Sequence, residues 1–275
     1  MVIDQVYIIS IDHRPEYIQE LIDRANKIPL PYGTPIKVIE GFVGKRLMEE
    51  NGQEYTLYKN WKLPEEVHKY GYWNRPTTYG EAGGMISHTL CWEDAYENGH
   101  KTILIMEDDF LPIVDVDWSI FDETQEYEWE MCLMAHNSLH RVFPIIGNPI
   151  RIGLKHFVKP TYFYNTHCYL LKESAIKKLV ELHLPTLKKN VVVSDEFFAA
   201  VMATHPRKDM RAMYVSNIAA IATKEDYVTQ TRFQDAGNSL TEPTEEDLVR
   251  ERELESKLSA TTESNTVVDS RREKG

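Results

Sequence analysis
Cysteine is scarce in this chain. Its three, Cys91, Cys132 and Cys168, are too few and too scattered for a disulfide framework or a cysteine zinc site, and read as buried thiols in a reducing compartment. Positive charge is also short: 31 Lys and Arg against 43 Asp and Glu leave a formal net charge of -12. A nucleic-acid binder gains affinity by displacing phosphate counterions with a basic face, so this balance argues against nucleic-acid partners. An enzyme for anionic ligands stays compatible, provided that a metal or a few cations screen its site. Long apolar runs are missing too. The opening "MVIDQVYIISIDHRPEY" has no basic start, and Asp4, Gln5 and Asp12 interrupt it, so it reads as neither signal peptide nor anchor. No internal repeat is visible. The expectation is a soluble, cytoplasmic chain with no membrane span.

What is present is a succession of strand and helix signals. Hydrophobic residues make up 42% of the 275 positions, enough for a substantial core. "VYIISI", Val6 to Ile11, suits a strand covered on both faces. "PEYIQELIDRANKI" follows with Pro15 at a helix start and Ile18, Leu21, Ile22 and Ala25 at helical spacing. "PIKVIEGFVG" predicts a second strand ending at Gly44, and this order opens a parallel α/β sheet. Residues 45–76 are polar and aromatic, with Trp61, Tyr70, Tyr72 and Trp73. They read as a surface excursion of the lid type, whose aromatics either stack on a ligand or pack the loop.

Thr78 and Glu81 then form a capping box, Met85, His88, Trp92 and Ala95 share one helical face, and Asn98-Gly99 closes the helix. "TILIMEDD" is a third strand, "YEWEMCLMAH" and "TYFYNTHCYLLK" predict two more, and "ESAIKKLVEL" is an amphipathic helix before Pro185. "VVVSDEFFAAVMATH" passes from an apolar run into another helix. Composition changes near Ala236. The division expected is one domain over 1–235, a charged, helix-prone extension over 236–258 and a disordered tail over 259–275.

The end of the third strand carries the chemistry. Glu107, Asp108 and Asp109 follow the apolar run directly, and parallel sheets bind ligands at the carboxyl ends of their strands. Three adjacent carboxylates repel one another unless a cation joins them, and hard oxygen ligands suit Mg²⁺ or Mn²⁺ carrying substrate phosphates. Strand alternation directs Glu107 and Asp109 one way and Asp108 the other. This predicts an acid-x-acid metal clamp for a nucleoside diphosphate, against the simpler alternative of a solvated strand end.

The order of segments resembles glycosyltransferase family 25, which includes lipooligosaccharide and collagen galactosyltransferases. "IISIDHR", Ile8 to Arg14, stands where that family has a strand of the type "VINLDRR", and "IEGFVGKRL", Ile39 to Leu47, loosely matches its "A-x-D-G" element. "GEAGGMISH", Gly80 to His88, matches "GE-x-G-C-x-x-SH", and "MEDD", Met106 to Asp109, matches "LEDD". Ser10 replaces the usual asparagine, Tyr17 a second arginine and Gly84 a common cysteine, so the donor sugar does not carry over automatically. The resemblance implies a GT-A fold, a Rossmann-like nucleotide-sugar domain with a mixed, mostly parallel sheet, and transfer that inverts the anomeric carbon.

With that context, Asp109 is the first choice for a metal ligand, with Glu107 or Asp108 beside it. Ser10, Asp12, Arg14, Glu81, Ser87, His88 and Asp108 are the donor-site candidates. Several have a structural alternative: the capping box already occupies Glu81, His88 lies on an apolar helix face, and Arg14 pairs equally well with a phosphate or a surface acid. His167 is either a third metal ligand or acceptor contact, or an interior strand residue. Asp195 is the general base for the acceptor hydroxyl, with Glu196 as the fallback, although acids also favour a helix start. The leading expectation is a Mn²⁺- or Mg²⁺-dependent transferase moving a galactose- or glucose-type hexose from a UDP-sugar to a glycan, lipid-linked or protein acceptor. The alternatives are a nucleotidyltransferase, for which "SIDHRPEY" lacks the glycine-rich basic loop, and a degenerate GT-A carbohydrate-binding or assembly module.

Overall fold
The computed structural model describes residues 1–31, 33–49, 54–58, 77–138, 149–215 and 217–230, without the side chains of 48, 49, 136–138, 164 and 165. The expected extension over 236–258, the tail over 259–275 and most of the 45–76 excursion, with Trp61, Tyr70, Tyr72 and Trp73, lie outside the described residues. The first half contains β1 (Gln5–Ser10), α1 (Pro15–Ala25), β2 (Ile36–Glu40), α2 (Arg46–Glu49), α3 (Tyr79–Glu97), β3 (Thr102–Glu107) and β4 (Phe110–Pro112). The second contains β5 (Met131–Ser138), β6 (Ile150–Arg151), β7 (Phe157–Lys159), β8 (Phe163–Lys172), α4 (Glu173–Lys178), α5 (Leu184–Lys189), α6 (Ser194–Val201), α7 (Lys208–Met213), β9 (Ala220–Thr223) and β10 (Val228–Gln230).

Eight strands form one sheet in the order β2-β1-β3-β8-β5-β9-β7-β6. β1 pairs in parallel with β2 and β3, and β5 with β9; the β3–β8, β5–β8, β7–β9 and β6–β7 pairs are antiparallel. Only β7 and β8 therefore oppose the common direction, which agrees with the mostly parallel sheet expected. β4 and β10 form a separate antiparallel pair.

Both faces of the sheet are covered, as the unbroken apolar runs require. Ile103 and Ile105 of β3 face a core with Met85, Trp92 and Ala95 of α3 and Phe197 and Phe198 of α6. Leu104 and Met106 face a second core with Leu21 and Ala25 of α1 and with Phe110, Phe121 and Phe157. The indole of Trp92 stacks on Phe197 at 5.7 Å and meets Phe198 edge-on at 5.8 Å. α3 is buried on more than the one face its spacing suggests, because Ala82, Ile86, Thr89 and Cys91 are buried as well.

Three boundaries differ from expectation. β2 stops at Glu40, and Gly41 to Gly44 form a loop that packs onto α3. Asp108 and Asp109 belong to a turn after β3 rather than to the strand itself. The helix that begins at Glu173 does not end before Pro185 but continues through a π turn, Leu179–His183, into α5. Pro185 sits in the first turn of α5, where its missing N–H and fixed φ are tolerated.

Gly44 of "IEGFVGKRL" and Gly83 of "GEAGGMISH" are explained by one close approach of the loop to α3. A Cβ on Gly44 would lie 1.8 Å from the Tyr79 carbonyl oxygen, and one on Gly83 would lie 2.6 Å from the Phe42 carbonyl oxygen. Backbone meets backbone there, so no side chain can yield. Gly44→Ala is expected to destabilise the protein by at least the roughly 1–3 kcal/mol typical of overpacking. Gly84→Ala, with nothing within 4 Å of its added Cβ, should melt near the wild type; equal melting of all three proteins would refute the close approach.

Candidate active site
The carboxyl edge of β1 and β3 gathers the acids. Ile9 is opposite Glu107 in the β1–β3 register, so Ser10 and Asp108 leave the sheet side by side. Ser10 Oγ donates to Asp108 Oδ2 at 2.6 Å and lies 3.2 Å from the Asp12 backbone N–H. Burial raises the Asp108 carboxyl above its ordinary range, and the Ser10 hydrogen bond works in the opposite direction. Arg24, in the last turn of α1, donates from Nη1 to the carbonyls of Asp108 at 2.8 Å and Phe110 at 3.2 Å. It also holds Glu20 at 2.7 Å and lies 5.4 Å from the centre of the Phe110 ring. The acid-bearing turn is thus tied to α1 through its backbone carbonyls.

Glu107 points to the opposite side, with Ile103 and Ile105, because strand residues alternate. Its Oε1 lies 3.4 Å from His88 Nε2. His88 Nδ1 is 2.9 Å from the Tyr169 hydroxyl, to which the Trp92 indole N–H donates at 3.2 Å. Asp109 Oδ1 lies 3.4 Å from Gln230 Nε2 of β10. The alternation that would align Asp109 with Glu107 ends with the strand, since 108 and 109 form the turn.

Asp195 stands along the same edge, one strand further. The last β3–β8 pair is Met106 with Cys168, after which the two strands continue to Glu107 and His167, with Thr166 beyond. Thr166 donates to Asp195 Oδ1 from its backbone N–H at 3.1 Å and from Oγ1 at 2.9 Å. Asp195 lies in the first turn of α6, so the helix start and the strand end jointly fix it.

The family model described as glycosyltransferase family 25 (LPS biosynthesis protein) matches residues 3–198, from β1 through this Asp195 turn. The chain belongs to glycosyltransferase family 25. It is 25% identical over 273 residues to procollagen galactosyltransferase 1-A of Xenopus laevis, covering 93% of this chain and 42% of that protein. A glycosyltransferase 25 family member of Aedes aegypti is 24% identical over 212 residues, covering 76% and 32%. Procollagen galactosyltransferase 2 of Homo sapiens is 23% identical over 223 residues, covering 78% and 32%. The chain spans less than half the length of these relatives. Among solved structures, A197 from STIV matches at 8% identity with a TM-score of 0.37, over 83% of each chain, too distant to carry an argument.

Within this family-25 chain the expected donor residues divide. Ser10 and Asp108 meet, as described. Exposed Arg14 and half-buried Asp12 grip each other, Arg14 Nη2 donating to Asp12 Oδ2 at 2.7 Å. That guanidinium holds the Asp12 carboxyl below its ordinary range. Ser87 is buried and staples the 41–44 loop to α3, accepting from Phe42 N at 2.8 Å and donating to the Gly83 carbonyl at 2.7 Å. Glu81 Oε2 accepts from Thr78 N at 2.9 Å, completing the capping box. Both therefore hold α3 and its loop in place.

Glu196 is not placed to act as a base. It is 1% exposed, and the Tyr162 hydroxyl donates to both of its oxygens at 2.8 and 3.0 Å. His205, fully buried, brings Nε2 within 2.7 Å of Oε2, while its Nδ1 accepts from Arg207 N at 3.0 Å. With Nδ1 an acceptor, a neutral ring carries its proton on Nε2, which lies close to the carboxylate but outside hydrogen-bond geometry. Glu196→Gln would set an amide N–H₂ against one of these donors. It is expected to cost about 1–3 kcal/mol, the penalty of an unmatched buried polar group. Chemical denaturation checks this, and unchanged stability would deny the network a structural role.

The expected three-ligand metal set, Glu107, Asp109 and His167, is not assembled among the described residues. Among the described residues no three His, Cys, Asp or Glu side chains gather to hold a metal ion by themselves. His167 is a buried strand residue, 4% exposed, and does not complete such a set with Glu107 and Asp109. Hard carboxylates at an open edge nevertheless fit a cation that takes much of its shell from phosphate and water, as Mg²⁺ commonly does. Arg24, Thr166, Tyr169 and Gln230 escaped sequence reasoning. Arg24 lies in the last turn of α1, where a cation is ordinary, Thr166 and Tyr169 lie inside a predicted strand, and Gln230 lies in a stretch with no local signal. No helix among the described residues is long and apolar enough to cross a membrane.

Proposed function
We propose that this chain transfers a hexose of the galactose or glucose type from a UDP-sugar to a hydroxyl of a glycan, lipid-linked or protein acceptor, with inversion at the anomeric carbon. The carrying observation is the shared edge: acids at the ends of β1 and β3, and Asp195 pinned to the adjoining β8 by Thr166. The galactosyltransferase names of its relatives support the sugar class.

Glu107 and Asp109 are the side chains that would hold Mn²⁺ or Mg²⁺ together with the donor diphosphate. Such a cation supplies charge stabilisation for the leaving UDP. The Ser10–Asp108 bond and the Arg24 tether keep the turn in one shape, so the acids are positioned before the donor arrives. Exposed Arg14 is able to exchange its partner Asp12 for a phosphate oxygen, because a surface ion pair of this kind is weakly held. Asp195 takes the proton of the acceptor hydroxyl as that oxygen forms its bond to the anomeric carbon. The bond from that carbon to the diphosphate breaks on the opposite side, and UDP leaves with the electron pair. The three buried free thiols, Cys91, Cys132 and Cys168, are in keeping with a reducing, cytoplasmic setting.

UDP release measured across several UDP-sugars with manganese present tests the reading. Release with one hexose donor, dependent on acceptor, is expected. No release with any donor and no nucleotide binding would leave a carbohydrate-binding or assembly module.

A further inference from the structure
Four side chains form an unbroken line from the core beneath α3 to the acid edge. Trp92 and Tyr169 are fully buried, His88 is 2% exposed, and Glu107 is partly open. The indole N–H is a donor only, so the Tyr169 oxygen accepts from Trp92. Among the described hydrogen bonds that hydroxyl has one further partner, His88 Nδ1 at 2.9 Å. Its own hydrogen therefore belongs to Nδ1; the opposite polarity would strand a buried O–H. With Nδ1 an acceptor, a neutral imidazole carries its proton on Nε2, the nitrogen 3.4 Å from Glu107 Oε1. Phe198 meets the His88 ring edge-on at 6.2 Å and the Tyr169 ring at 5.0 Å, which limits swinging of either ring.

We propose that Trp92, Tyr169 and His88 form a positioning chain that fixes His88 as the Nε2–H tautomer and aims that proton at Glu107, orienting the carboxylate for the cation and diphosphate. Outer partners of this kind hold a ligating group in its working orientation without touching substrate. The 3.4 Å separation is long for a hydrogen bond, so the link guides Glu107 and leaves it room to adjust when the donor binds. The inference rests on the reading of Glu107 as part of the donor and cation site.

Nitrogen NMR of the imidazoles in the metal-free wild-type protein reads the tautomer directly. A protonated Nε2 and bare Nδ1 at His88 are expected, and the reverse tautomer would overturn the proposal. Calorimetry of UDP binding in manganese reads the consequence. Tyr169→Phe and His88→Phe should weaken it about 10–100-fold, the usual cost of losing an outer partner. His88→Gln, whose amide still donates toward Glu107, should recover part of the loss. Wild-type affinity in Tyr169→Phe beside lost binding in Glu107→Gln overturns the positioning chain alone. Wild-type affinity in Glu107→Gln overturns the assignment of Glu107, and the chain with it.

Discussion
Asp195→Asn is expected to lower kcat by about 10²–10⁴-fold at saturating donor, the usual value of general-base help, while UDP-sugar and manganese bind as in the wild type. The geometry separates these effects. Both Thr166 bonds fall on Asp195 Oδ1, and the side-chain oxygen of asparagine accepts them equally well. The Thr166 bonds and the helix start therefore persist, and the ability to take a proton is lost. The deficit should appear in turnover rather than in donor affinity, because the carboxylate acts on the acceptor. Single-turnover transfer with donor saturating is the measurement. Near wild-type turnover would reduce Asp195 to a helix-start acid, and Glu196, sealed by Tyr162 and His205, is not available to take over.

Asp109→Asn should remove manganese-dependent UDP binding, by more than the roughly 10–100-fold that loss of an outer partner costs. The variant loses a charge that the cation and diphosphate use, yet its remaining oxygen can still meet Gln230 Nε2, 3.4 Å away in the native protein. Cooperative unfolding should survive for that reason. Isothermal calorimetry with UDP and manganese decides the matter, and unchanged binding would place the nucleotide elsewhere.

Much of the architecture was legible because local chemistry announces it. Pro15 and the Thr78–Glu81 pair mark helix starts by satisfying or lacking backbone donors, and runs such as "TILIM" can only be buried strands. Where the reading failed, the deciding force acted from a distance. The helix beyond Pro185 survives because a π turn and packing against α3 absorb a residue that ends isolated helices. α3 is wrapped by a sheet, a loop and other helices, so its face pattern underestimates its burial. Tyr169 looked like one more strand aromatic until the fold placed it between Trp92 and His88.

By itself, then, the sequence determined the succession β1, α1, β2, α3, β3, β5, β8, α4 and α6, the acids that end β3 and the acidic start of α6, since each follows from composition and caps within a few residues, whereas the short strands β4, β6, β7, β9 and β10 carry no such local signal. Tertiary structure alone decided which acid does what. Glu107, Asp108 and Asp109 are neighbours in the chain, yet they reach His88, Ser10 and Gln230 on three different elements. Asp195 and Glu196 diverge for the same reason: successive helix residues point roughly 100° apart, so one meets the sheet edge at Thr166 and the next is driven into the core against Tyr162 and His205. Sequence records adjacency along the chain, whereas reactivity depends on what stands opposite each side chain, and only the assembled sheet and helices supply that.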